Sequence, residues 1–126
     1  KAHSYLSIKS SLRLSAGLAL TALTVLTPEH TNAQVAIGVN ANANFTNAFA
    51  LGGGATAGAS HAFALGTNST ASSLNAYAIG RNAQATDNNA FSLGTNSTAL
   101  FPNAFAMGTG ASASNVNAYA IGRNSS

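Results

Sequence analysis

The sequence contains no cysteine, and only seven of its 126 residues are charged at neutral pH: five Lys or Arg and two Asp or Glu. The first absence removes disulfides and thiolate metal sites as braces for the fold, while leaving export open, since a surface protein held together by repetition needs no covalent staples. The charges are also unevenly placed. Lys1, Lys9 and Arg13 against Glu29 precede residue 33, leaving Arg81 and Arg123 against Asp87 in the remainder, so two of the three net positive charges belong to the N-terminal third and the rest is nearly neutral. Without a clustered basic face to neutralise phosphates, nucleic-acid binding is excluded as a role for the rest of the chain.

The shortage of acids limits the chemistry further. Asp87 is the only carboxylate side chain after residue 33, so paired-carboxylate catalysis has no second member. His61 falls where other repeats carry Asn, with no second His or acid in its row, and reads as a corner variant rather than a metal ligand. Serines abound, but His61 and Asp87 alone do not make a triad with them. Gly52-Gly53-Gly54 lacks the Gly-Lys-Ser/Thr ending of a phosphate loop, and Gly-x-Gly-x-Asp calcium repeats are absent. These residues call for no enzyme, cofactor or metal.

What the chain has instead is a period. Gly38, Gly52, Gly66, Gly80, Gly94, Gly108 and Gly122 recur every fourteen residues without interruption, each closing an apolar tetrapeptide such as Phe63-Ala64-Leu65-Gly66 or Tyr77-Ala78-Ile79-Gly80. A unit this short cannot fold alone, and stacking in a solenoid lets neighbours share a core. Within the unit Asn75 to Asn88, alternation of period two predicts a strand at Tyr77-Ala78-Ile79 and a second around Ala83 to Ala85. Gly80-Arg81-Asn82 and Asp87-Asn88-Asn89 supply the two corners, where Gly and Asn tolerate positive φ. The expected architecture is all-β: a parallel roll of seven turns over residues 34–126, the last incomplete, with each strand paired to its counterpart fourteen residues away.

The inward face of the first strand is assigned to the large residues, placing Phe49, Phe63, Tyr77, Phe91, Phe105 and Tyr119 in an internal core ladder. Small residues from the second strand, in the rows beginning at Ala41 and Ala43, oppose them. The row Ala36, Ala50, Ala64, Ala78, Ser92, Ala106 and Ala120, with the row from Ala48 to Ala118 beside it, then faces outward. A small-residue sheet in that place suggests close packing against another chain, a candidate trimer interface. So thin a roll is expected to need its neighbours for stability.

Residues 1–33 differ in composition from the rest. The three cations up to Arg13 are followed by the uncharged run LSAGLALTALTVL at residues 14–26 and by Pro28. A membrane-spanning helix needs about 20 apolar residues, so this pattern reads as a helical secretory signal peptide released near Thr31-Asn32-Ala33. The alternative, a helix docked on the solenoid end, lacks a polar face. The sequence begins without methionine and stops within the seventh repeat, and is read as truncated at both ends.

Asn75-Ala76-Tyr77-Ala78-Ile79-Gly80-Arg81-Asn82-Ala83, its copy at Asn117 to Ser125, and Val35-Ala36-Ile37-Gly38 resemble the head repeat of YadA-like trimeric autotransporter adhesins, whose unit centres on Asn-Ser-Val-Ala-Ile-Gly-x-x-Ser. The resemblance covers residues 34–126. It departs from the pattern in carrying Phe or Tyr for the usual valine in six repeats and Ala for the usual serine. It implies a left-handed parallel β-roll, a homotrimer, and the head of an exported protein on the outer membrane of a Gram-negative bacterium. There it would bind host matrix or neighbouring cells, with stalk and membrane anchor supplied by regions outside this sequence.

Three smaller signals complete the reading. Asn44-Phe45-Thr46, Asn68-Ser69-Thr70, Asn96-Ser97-Thr98 and Asn124-Ser125-Ser126 have the form of glycosylation sequons, but turn chemistry accounts for three of the asparagines. The rows Thr56, Thr70, Thr98 and Thr67, Thr95, Thr109 admit an alternative function, an ice-binding or other surface-templating solenoid, although Gln84, Arg81 and Gly53 interrupt them. Arg81 and Arg123 lie on one edge, where they serve solubility or meet an anionic partner.

Overall fold

A computed structural model describes residues 34–126; the expected signal segment at 1–33 lies outside the described residues. Thirteen short strands follow one another: β1 (Val35–Ile37), β2 (Asn42–Ala43), β3 (Phe49–Leu51), β4 (Thr56–Ala57), β5 (Phe63–Leu65), β6 (Thr70–Ala71), β7 (Tyr77–Ile79), β8 (Gln84–Ala85), β9 (Phe91–Leu93), β10 (Thr98–Ala99), β11 (Phe105–Met107), β12 (Ser112–Ala113) and β13 (Tyr119–Ile121). The odd strands form a seven-stranded sheet and the even strands a six-stranded one, each in sequence order. All pairings are parallel, with a register of fourteen, as in Phe63↔Tyr77 and Ala64↔Ala78. The result is a parallel β-solenoid of six complete turns, with β13 opening a seventh, and no helix among the described residues.

The corners follow from backbone chemistry. At the first, Ala83 N–H donates to the Gly80 carbonyl at 3.3 Å, and Asn82, third in this four-residue turn, has φ +56°. At the second, Ala76 N–H donates to the Ser73 carbonyl at 3.1 Å, with Asn75 at φ +55°. A type II turn demands positive φ at its third residue, and Asn is the side-chain-bearing residue that best tolerates it. Asn68, Asn96 and Asn124 occupy the same left-handed position, which accounts for three of the four apparent sequons.

Stacking the corners aligns their amides. Asn75, Asn89, Asn103 and Asn117 form a ladder in which each Nδ2 donates to the next Oδ1 at 3.1–3.2 Å, and Asn82 donates likewise to Asn96 at 3.0 Å. His61 enters the first ladder as a corner variant, at φ +60°, with its Nε2 3.2 Å from Asn47 Nδ2.

The face assignment of the first strand is reversed relative to expectation. Ala50, Ala64, Ala78, Ser92 and Ala106 are fully buried, Ala120 nearly so, and Ala36 at the first turn is partly buried against the same cluster. The row Ala48, Ala62, Ala76, Ala90 and Ala104 is also buried rather than outward. Phe49, Phe63, Tyr77, Phe91, Phe105 and Tyr119 stand on the outside, with Tyr77 and Tyr119 exposed and the phenylalanines half-buried. The small second-strand residues, including Ala55, Ala57, Ser69, Ala83, Ala85 and Ser97, do face inward as expected.

The physical reason is the width of the roll. Ser92 Oγ and Ser97 Oγ meet across the interior at 2.7 Å, so one hydroxymethyl group from each side spans the gap. Close packing there requires methyl-sized side chains from both sheets, and an aromatic ring would force the sheets apart. Alternation of side chains along the strand then sends the residues on either side of each buried alanine outward.

Candidate assembly face and outer surfaces

With alanine inside, the outer face of the seven-stranded sheet becomes an apolar surface. Parallel in-register pairing puts like beside like, so the rings stack along the roll. Phe49 and Phe63 have centroids 4.8 Å apart and planes 7° from parallel, and Phe91 and Phe105 repeat this at 4.9 Å and 6°. Tyr77 tilts at 31° to Phe91, with centroids 6.3 Å apart. The aliphatic row Leu51, Leu65, Ile79, Leu93, Met107 and Ile121 runs beside the ladder on the same face, since β-strand residues two apart share a side. Stacking covers part of each ring, yet Tyr77 keeps 42 % of its surface exposed and Tyr119 73 %.

The row Ala36, Ala50, Ala64, Ala78, Ser92, Ala106 and Ala120 contacts no solvent that a partner could displace over most of its length, and the expected trimer interface cannot be built from it. The aromatic row, expected as core, is the surface available to another chain. The turn glycines stand where expected. A Cβ added at Gly80, whose φ is +130°, would lie 2.5 Å from the Gly94 carbonyl oxygen of the next turn. This close approach of stacked backbones leaves no room for a side chain.

The opposite sheet is polar outside. Thr56, Thr70, Gln84, Thr98 and Ser112 share one outward row, and Thr98 Oγ1 donates to Ser112 Oγ at 3.2 Å. Exposed Gln84 interrupts the threonines, so the flat, regular hydroxyl array that a surface-templating role requires is not continuous. Among the described residues, no group of three or more His, Cys, Asp or Glu is arranged to hold a metal ion.

A surface of this kind belongs to a structural repeat: a fourteen-residue parallel β-solenoid with polar corners, one polar sheet and one apolar sheet. The profile of the YadA head domain repeat matches residues 35–55, 46–69, 71–97 and 102–125, and the chain belongs to that family. No curated protein matches the chain. The sequence signal for the corrected faces is present in retrospect. Four rows of each turn, those beginning at Ala36, Ala41, Ala43 and Ala48, hold only Ala or Ser, a uniformity of size that marks a thin interior.

Proposed function

We propose that residues 34–126 form the head of a trimeric autotransporter adhesin displayed on the outer membrane of a Gram-negative bacterium. Three left-handed rolls stand side by side with their aromatic sheets turned towards a common axis. Residues 1–33 serve as the secretory signal and are removed on export. The role is structural and adhesive rather than catalytic: the rigid trimer presents its polar sheets to host matrix or to other cells.

The observation that carries this reading is the outward ladder Phe49, Phe63, Tyr77, Phe91, Phe105 and Tyr119 with the aliphatic row beside it. A contiguous apolar surface over seven strands is unfavourable in water and is the usual mark of an association face. Membership of the head-repeat family supplies the kind of assembly that covers it. The six-stranded sheet, rich in hydroxyl and amide groups, is left for ligands.

The test has two readings from one preparation. The full chain should sediment as a trimer and bind immobilised extracellular-matrix proteins or cells, whereas Leu65→Asp, placing a charge in the apolar face, should lose both properties. A monomeric wild-type chain would overturn the assembly, and a trimer that binds no matrix or cell surface would reduce the head to a spacer.

A further inference from the structure

The three charged side chains among the described residues are Arg81, Asp87 and Arg123, and the only acid shares a turn with one of the two bases. They stand at opposite corners: Arg81 follows Gly80 at the first, Asp87 precedes Asn88 and Asn89 at the second, and β8 (Gln84–Ala85) runs between them. Arg81 is exposed and Asp87 half-buried. The equivalent positions in other turns are also paired by character. The first turn has Val39 and Phe45, both exposed apolar residues; the second has small Gly53 and Ala59; the third has Thr67 and Ser73. The fifth turn departs, setting Thr95 against Phe101.

The fold of a single chain does not bring these corners together, so it gives no reason for a match turn by turn. Cyclic association does. When copies surround an axis parallel to the roll, each presents its first corner to one neighbour and its second to the other, a heterologous contact that closes into a ring. Without axial displacement between copies, each corner meets the opposite corner of the same turn.

We infer that the seams between neighbouring copies join first corner to second corner in same-turn register, with Arg81 of each copy paired to Asp87 of the next. This rests on the side-by-side trimer proposed above and adds its register. A slip of one turn would set Arg81 against Ser73 or Phe101 and leave Asp87 facing Thr67 or Thr95, so the pair penalises misaligned assembly as well as supporting the aligned one.

Charge reversal tests it in the full chain. Arg81→Asp and Asp87→Arg shift net charge in opposite directions, yet each should weaken the trimer by about tenfold or more at low salt, because three seams lose an exposed ion pair and gain a like-charge contact. The double variant should recover wild-type association to within about threefold, and the differences should shrink at high salt. Circular dichroism monitors the strands throughout, and Thr109→Asp, whose opposite corner in the sixth turn is the uncharged Asn115, serves as an added charge with no charged partner. A wild-type trimer indifferent to the single reversals, or not rescued by the double, would overturn the seam while leaving the trimer standing. A monomeric wild-type chain would overturn both.

Discussion

Ser92 and Ser97 share a hydrogen bond of 2.7 Å inside the roll, and Ser97 Oγ also donates to the Gly94 carbonyl at 2.9 Å. The pair is therefore asymmetric: with Ser97 bonded to the backbone, Ser92 donates to Ser97. Ser97→Ala should leave the buried Ser92 hydroxyl without its partner and cost about 1–3 kcal/mol. Ser92→Ala, which leaves Ser97 bonded to Gly94, should cost no more than about 1 kcal/mol, and the double alanine variant should resemble it. Denaturant unfolding of the three variants decides the order.

Two glycines one residue apart should respond in opposite ways. Gly52, at φ +136° with its Cβ position 2.6 Å from the Gly66 carbonyl group, should not accept alanine, and Gly52→Ala is expected to cost more than about 3 kcal/mol. Gly53 has no backbone conformation reserved for glycine, and a Cβ there would meet only the Val39 carbonyl oxygen at 4.0 Å. Gly53→Ala should be neutral or raise stability by about 0.4–1 kcal/mol through the unfolded chain. Thermal melts of the pair provide the comparison.

The reversed faces predict different failures for inward and outward positions. Ala78→Asp puts an unpaired charge into the fully buried interior and should abolish the strand signal in circular dichroism. Thr86→Asp, on a half-buried position at the second corner, should leave that signal intact. Phe91→Ala should act through association, its cost to stability growing as the chain is diluted, because the ring stacks outside between Tyr77 and Phe105.

His61 is the one break in the corner ladder that runs from Asn47 to Asn117. His61→Asn should continue the amide ladder in a backbone conformation that Asn prefers, stabilising the roll by up to about 1 kcal/mol. A loss of stability on this substitution would show that the imidazole makes a contribution the ladder geometry does not account for.

Much of this architecture is legible in the sequence because it is dictated by backbone requirements. The glycines at intervals of fourteen, the left-handed Asn82 and Asn89, and the strand at Tyr77-Ala78-Ile79 all stand where the repeat puts them. Which side of that strand faces in is not fixed by hydrophobicity. Alternation separates Tyr77 and Ile79 from Ala78 but leaves the sign of the separation open, and the habit of placing large apolar residues in the core gives the wrong sign here. Sheet spacing decides it, through contacts such as Ser92 to Ser97 that belong to the folded chain. The assembly face inherited the same error, since it is the complement of the core.

An interior made of alanine and serine buries little apolar surface per residue, so the account requires folding and association to be one process. Its most direct test is the dependence of the denaturant midpoint on chain concentration. If three unfolded chains form one folded trimer, each tenfold rise in chain concentration adds about 2.8 kcal/mol to the unfolding free energy per trimer, and the midpoint moves up accordingly. A midpoint unchanged over a hundredfold range, for a chain that sediments as a monomer, would contradict the account.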